Sequence, residues 1–159
     1  AASHTGNLID MQNSSGSSLT KFDFNGNFFV GPSTIETFTT TGSAFGSSVN
    51  YYTDSQTIYY STASAANDIT VAVKAASAIN LDTRLATGQA VTLVIKVTNG
   101  GVTAYKVSAL TIDGNAQTIK WLNGSAPSGN LSSVDTYSFT IYKTGSGTFY
   151  VEGMQQTNK

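Results

Sequence analysis

The side chains able to do chemistry are few and scattered. The single histidine, His4, lies in a small, polar opening stretch, Ala-Ala-Ser-His-Thr-Gly-Asn. Nucleophilic catalysis needs a base held beside a hydroxyl or thiol, and His4 reads as an exposed residue of an arm, so no Ser-His-Asp site is expected. A glycosidase needs two carboxyls facing one another across a cleft. The candidates, Asp54, Asp68, Asp82, Asp113 and Asp135, mostly end apolar runs, where aspartate organises turns. The reading is non-enzymatic, with no catalytic residue assigned.

Metal and phosphate chemistry fare no better. Asp23-Phe-Asn25-Gly-Asn27 has oxygen donors at calcium-loop spacing, but glycine falls at the fourth position and the twelfth is Thr34 instead of glutamate. The run reads as a hairpin turn. No Cys/His cluster exists for zinc, and Gly145-Ser-Gly147 lacks the lysine and following helix of a phosphate loop. No metal or cofactor is expected. Three Asn-x-Ser sequons, at Asn13, Asn123 and Asn130, read as coincidence in a chain rich in Asn and Ser.

The aromatic residues are more suggestive. Tyr51-Tyr52 and Tyr59-Tyr60 flank residues 53–57, and alternation along a strand puts one ring of each pair inside and one outside. Outward tyrosines serve sugar-binding or protein-binding surfaces, so Tyr51, Tyr52, Tyr59 and Tyr60 are the candidate adhesion surface. The same rings also suit packing against neighbouring strands or a subunit interface. Trp121, the only tryptophan, sits in Thr-Ile-Lys-Trp-Leu-Asn-Gly-Ser-Ala-Pro (118–127) and raises the same choice between gripping a ligand and anchoring a turn.

The elements that must position these residues are β-strands. The chain has 159 residues, enough for one compact domain plus an arm. Charged residues make up 11%, with Lys+Arg 8 against Asp+Glu 9, so there is no basic field for nucleic acid or anionic lipid. Ser, Thr, Asn and Gly carry the polarity instead, a composition suited to exposed strands and tight loops and typical of extracellular and virion-surface proteins. Zero cysteines leave packing or oligomerisation to supply stability. No apolar run approaches the roughly 20 residues of a membrane-spanning helix, and no membrane insertion is expected. The chain opens at Ala1 without initiator Met, basic region or apolar region, so we expect a removed leader or a longer precursor.

Residues 1–33 read as an N-terminal arm and β-hairpin for oligomerisation or attachment. Alternating apolar residues flank turns at 13–16 and 25–27, and Phe28-Phe29-Val30 begins a third strand. Such a ribbon buries too little apolar surface to stand alone, which makes Leu8, Ile9, Met11, Leu19, Phe22 and Phe24 the candidate oligomer interface. Residues 34–159 read as a β-sandwich, with strands near 34–40, 46–52, 56–61, 68–75, 90–98, 103–112, 116–121, 134–142 and 147–153. Val91-Thr-Leu-Val-Ile-Lys-Val97 is the most apolar and is expected in the middle of the core. One helical turn is the expectation at 61–67, and hairpin turns at Asp113-Gly114-Asn115 and Gly145-Ser-Gly147. No fixed period links the turns, so no solenoid or fibre-shaft repeat is expected.

Asn80, Val91-Thr-Leu-Val-Ile, Ile119-Lys120-Trp121-x-x-Gly124-Ser-Ala126-Pro127, Val134-Asp135-x-Tyr137-x-Phe139-x-Ile141-Tyr142 and Thr148-Phe-Tyr150-Val151 occur in that order. Together they resemble a module of bacteriophage virion proteins, found in tail fibres and other fibre proteins of marine and cyanobacterial phages, in which a K-W-x-G-G-T-A-P turn precedes a V-D-x-x-x-F strand and an aromatic strand. The match covers about residues 80–152; Leu122-Asn123 stand where the family often has Pro or Gly, and Ser125 where it has Thr. Residues 8–29 are similar to short β segments between modules of trimeric phage fibres. The resemblance implies a jelly-roll-like antiparallel β-sandwich with an N-terminal β-hairpin arm, in a trimeric fibre, tail-fibre or head-decoration component on the virion surface. Its partners would be its own copies, other virion proteins and a host-surface glycan. Trp121, Gly124, Pro127 and Asp135 would then form a structural turn, with the indole N–H on a buried acceptor. The alternative is a secreted carbohydrate-binding module.

Overall fold

The computed structural model describes residues 9–12, 14–15, 18–22, 28–30 and 36–158. The chain forms two compact units, Ala1–Ile35 and Glu36–Lys159. In the first, β1 (Ile9–Gln12), β2 (Ser18–Phe22) and β3 (Phe28–Val30) form an antiparallel sheet in the order β1-β2-β3. Ile9 pairs with Phe22 and Phe22 with Phe28, so one register row joins three apolar residues. Of the candidate interface residues, Ile9 and Met11 fall in β1, and Leu19 and Phe22 in β2. Leu8 and Phe24 lie outside the described residues, as do His4 and the 23–27 run.

In the second unit, β4 (Phe38–Thr41), β5 (Ser48–Tyr52), β6 (Ile58–Ser64), β7 (Ile69–Lys74), β8 (Ala90–Asn99) and β9 (Val107–Ile112) alternate between two sheets. Strands β4, β6 and β8 lie side by side and parallel in one, and β5, β7 and β9 likewise in the other. Strands β10 (Asn115–Gln117), β11 (Ile119–Trp121), β12 (Ser133–Gly145) and β13 (Thr148–Asn158) complete the orders β10-β9-β7-β5 and β11-β13-β12-β8-β6-β4. Among pairs of these strands β9/β10, β8/β12 and β12/β13 are antiparallel, and β11 joins β13 in parallel.

This corrects the expectation of an antiparallel jelly roll. The unit is a mixed two-sheet β fold whose chain winds between the sheets. Short connections suggest hairpins, because parallel neighbours in one sheet need a long crossover. Here the crossover from β4 to β6 is β5 itself, a strand of the other sheet. The winding has no fixed period, its rounds starting at residues 38, 58 and 90. The helical turn is also misplaced by the sequence: β6 runs through Ser64, and the one-turn helix α1 is Leu81–Arg84.

Period-two alternation explains the core. Leu93, Ile95 and Val97 of the interior strand β8, and Tyr137, Phe139 and Ile141 of β12, are buried against Val71 and Val73 of β7 and Leu110 and Ile112 of β9. Strand β12 also turns two charged residues inward, Asp135 near its start and Lys143 near its end. Asp135 accepts hydrogen bonds from Asn99 Nδ2 (3.1 Å), Asn130 N (2.9 Å), Asn130 Nδ2 (2.9 Å) and Ser133 Oγ (3.3 Å). Asn99 in turn bonds Tyr105 through both N–H and C=O, so Asp135 ties two loops to the sheet.

At the other end Lys143 Nζ donates to the carbonyls of Asp82 and Leu85, and pairs with Asp82 Oδ1 at 2.9 Å. Asp113 caps the other side of this turn, taking the Leu81 and Asp82 N–H groups at 2.8 and 2.9 Å. Asp113 and Gly114 form the two-residue turn between β9 and β10 with φ of 52° and 86°, the positive values that Asp-Gly favours in a tight hairpin.

Candidate functional site

The Trp121 turn is built by close approach. Strand β11 adds to the edge of β13 with Ile119 opposite Val151, Lys120 opposite Glu152 and Trp121 opposite Gly153. A Cβ at residue 153 would lie 2.7 Å from Ile119 Cγ2 and 3.1 Å from both the Trp121 and Phe139 rings, so only glycine lets β11 lie so close. The indole meets Phe139 and Tyr137 edge-on, with centroids 5.8 and 6.4 Å apart. Leu122 N–H bonds the Gly153 carbonyl, and Gly124, at φ 76°, returns its N–H to the Trp121 carbonyl, each at 2.9 Å. Pro127 is half-buried beyond the turn, whereas Asp135 serves the loop node described above.

One feature of Trp121 differs from expectation. Among the described residues no acceptor bonds its indole N–H, yet no buried side-chain nitrogen or oxygen lacks a partner. The N–H is therefore open to solvent. Trp121 anchors the turn with its ring and presents a free donor at the surface.

The four tyrosines do not share a platform. Tyr51 is fully buried and donates its hydroxyl to the Gln56 and Thr57 carbonyls, and burial pushes its phenol well above the usual range. Tyr59 packs inward, edge-on to Phe45 at 4.9 Å. Tyr52 and Tyr60 point outward, but from different sheets, because β5 and β6 belong to opposite ones. Tyr51 therefore leaves the candidate adhesion surface, whereas Tyr59, half-buried, lines a cavity of about 410 Å³ together with Tyr52.

A different surface gathers five of the exposed large apolar side chains, while Ile79, Val102 and Leu131 lie in other loops. The outer face of the six-stranded sheet carries Phe38 (53% exposed), Tyr142 (37%), Tyr150 (42%) and Met154 (45%), with Leu122 (76%) just past β11. Register rows connect them: Met154 lies opposite Ser138, Ser138 opposite Val94, Val94 opposite Ile58 and Ile58 opposite Phe38. Phe38 stacks on Tyr60 with centroids 6.2 Å apart, and Lys96 Nζ lies 5.7 Å from the Tyr60 ring centre. At the other edge Tyr142 and Tyr150 lie 5.9 Å apart.

Beside Tyr150 the face is concave. A cleft of about 340 Å³ runs between β11, β13 and β12, walled by Lys120, Trp121, Leu122, Tyr150, Glu152 and Met154 and floored by Ser138 and Thr140. Tyr142 donates its hydroxyl to Glu152 Oε2 at 3.0 Å, and this bond to the carboxylate pushes the Tyr142 phenol up. Lys120 and Glu152 are register neighbours, but the ion pairs among the described residues are Arg84–Asp54 and Lys143–Asp82. A smaller hollow of about 100 Å³, lined by Asn123, Ser125, Pro127 and Gln155, shares Trp121, Leu122, Gly153 and Met154 with the cleft.

The aspartates considered for catalysis are each engaged locally. Asp54 meets Arg84, Asp68 accepts the Lys106 N–H, and Asp82, Asp113 and Asp135 hold the nodes described above. The Asn130 amide of one sequon is occupied by Asp135 and Thr157. Among the described residues no three of His, Cys, Asp and Glu gather as metal ligands. Sequence reasoning missed Phe38, Lys120, Tyr142, Glu152 and Met154 as members of one surface. The signal was present in β13, where 150, 152 and 154 alternate with the inward 151 and 153. Comparison of the chain with protein-family models, curated proteins and solved structures returns no match.

Proposed function

We propose that this chain is a non-enzymatic surface module of a bacteriophage virion, a trimeric fibre, tail-fibre or head-decoration component, which meets its target through the outer face of the six-stranded sheet. The carrying observation is an exposed aromatic face on a packed frame. Of the residues on which the resemblance to the phage module rests, Trp121, Gly124, Asp135, Phe139 and Val151 are engaged in the frame through the β11 turn, the loop node and the core, whereas Lys120, Tyr142 and Tyr150 stand on the outer sheet face. The exposed rings Phe38, Tyr142 and Tyr150 lie on one open sheet face, and contiguous exposed apolar patches mark interaction surfaces. A frame with one free face suits a module whose target is set by the face and not by the fold.

The first unit supports self-association. A three-stranded sheet of short strands is marginal alone, and its sequence concentrates Ile9, Met11, Leu19 and Phe22 there. Copies around a threefold axis would bury such residues. The ring pairs Phe38/Tyr60 and Tyr142/Tyr150 favour the second reading, a secreted carbohydrate-binding module.

Two measurements test the proposal together: sedimentation of the purified chain, and electron microscopy of source-lysate phage particles labelled with antibody against it. The expected result is a species of three times the 16.6 kDa chain mass and label on the particle. A monomer absent from every particle discards the virion reading and promotes the secreted module.

A further inference from the structure

We infer that the cleft between β11, β13 and β12 is a binding site for a neutral saccharide, with the Tyr150 ring as platform and Lys120, Glu152, Ser138 and Thr140 as polar contacts. The inference rests on the adhesive reading above and names its ligand class and its place.

Shape comes first. At about 340 Å³ the cleft is at the lower end of small-molecule sites, the scale of a short saccharide rather than a protein side. Its wall then selects chemistry. Tyr150, Leu122 and Met154 present apolar surface, while Lys120 donates, Glu152 accepts, and Ser138 and Thr140 do both. A sugar ring has the matching halves, a C–H face for an aromatic ring and a rim of hydroxyls that donate and accept.

Charge narrows the class. An anionic ligand would meet Glu152 and a cationic one Lys120, and the two charges lie on neighbouring strands in the same register row. A purely apolar ligand would strip water from both without replacing its hydrogen bonds, which is costly. Protein interfaces deplete Lys and Glu at their centres. A neutral ligand rich in hydroxyls satisfies both charges at once.

The polar groups are also prepared for it. Tyr142 holds Glu152 in place at 3.0 Å, so an acceptor is set before a ligand arrives, which lowers the ordering cost of binding. The smaller hollow shares Trp121 and continues past Leu122 and Met154 with Asn123, Ser125 and Gln155, where a second sugar unit would extend.

Trp121 is the sole tryptophan of the chain and belongs to the cleft lining, so its fluorescence is one readout of binding there. The full chain is titrated with neutral oligosaccharides of glucose, galactose, mannose, rhamnose and N-acetylglucosamine, with a sulfated tetrasaccharide as comparator and calorimetry in parallel. At least one neutral oligosaccharide should give saturable binding by both readouts. Tyr150→Ala should weaken it by at least about tenfold, and Glu152→Gln, which keeps the side-chain shape, should weaken it severalfold. Tyr52→Ala, on the other sheet, should leave it unchanged. Binding of the sulfated comparator alone, binding that survives both cleft substitutions, or no neutral binding at millimolar concentrations would each overturn the inference. Because these titrations use purified chain and virion placement uses particles, either proposal can fail without the other.

Discussion

Strand β12 buries a charge near each end, and the two are satisfied in opposite ways. Asp135 is fully buried and surrounded by neutral donors from Asn99, Asn130 and Ser133. Lys143 lies against two carbonyls and also has a carboxylate, Asp82, whose side chain is 30% exposed. An anion can be held by amide and hydroxyl donors alone. The ammonium here keeps a counter-ion that reaches water. Between them Tyr137, Phe139 and Ile141 are apolar, and the Tyr137 phenol is pushed up first by burial and then by the Asp135 charge. The sealed end fastens loops, and the wet end fastens α1.

The sealed end should be the costlier to break. Asp135→Ala takes the acceptor from the Asn130 N–H and from the Asn99 and Asn130 side-chain amides at a fully buried position, and a loss of about 3–5 kcal/mol of unfolding free energy is expected. Urea unfolding followed by Trp121 fluorescence measures it. A loss below about 1 kcal/mol would mean that water replaces the carboxylate and that the ends do not differ.

Lys143→Met comes next, with an expected loss of about 2–3 kcal/mol. It strands the Asp82 and Leu85 carbonyls, but the exposure of Asp82 lets water recover part of the deficit. Amide exchange should quicken at Leu85, whose N–H closes the α1 turn onto Leu81, and stay slow at Tyr137. Equal quickening at both would show that the ends unfold as one.

Acid should sharpen the contrast. The hydrogen bond from Lys143, and then that from the Gly147 N–H, hold the Asp82 carboxyl below the usual carboxylate range. A folded-state value below the unfolded one contributes stability that is fully present above the unfolded value and is lost as pH falls through the folded one. Asp82→Asn should therefore be less stable than the parent chain at neutral pH, and the gap should close as the pH drops below about 4. A gap that stays constant with pH would remove Asp82 ionisation from the account.

How much of this was legible in the sequence depends on the distance over which the information acts. Alternation within a strand is local, so the inward run through Tyr137, Phe139 and Ile141, the apolar strand β8 and the Asp113-Gly114 turn could all be read directly. Sheet membership is not local. Tyr52 and Tyr60 look alike in sequence, yet they face solvent from opposite sheets because β5 is the crossover between two parallel strands. The cleft was invisible for the same reason. It exists only because β11 travels to the far edge of the six-stranded sheet and pairs in parallel with β13, bringing Lys120 beside Glu152. The free indole N–H of Trp121 follows from that geometry and from no pattern in residues 118–127.

The smallest effect is expected one residue from the largest. Thr136 is the outward neighbour of Asp135, and its hydroxyl accepts a hydrogen bond from Asn158 Nδ2 at 3.0 Å on an exposed surface. Thr136→Ala should change unfolding free energy by no more than about 0.5 kcal/mol, because water replaces that bond at once. The pairing of β12 with β13, where Thr136 lies opposite Gln156, does not need the hydroxyl. A loss comparable to that of Asp135→Ala would mean that this end is held by the strand pair and its exposed bonds instead of by the buried carboxylate. Near-neutrality at 136 beside a severe loss at 135 would place the fastening on the inward side of the strand alone.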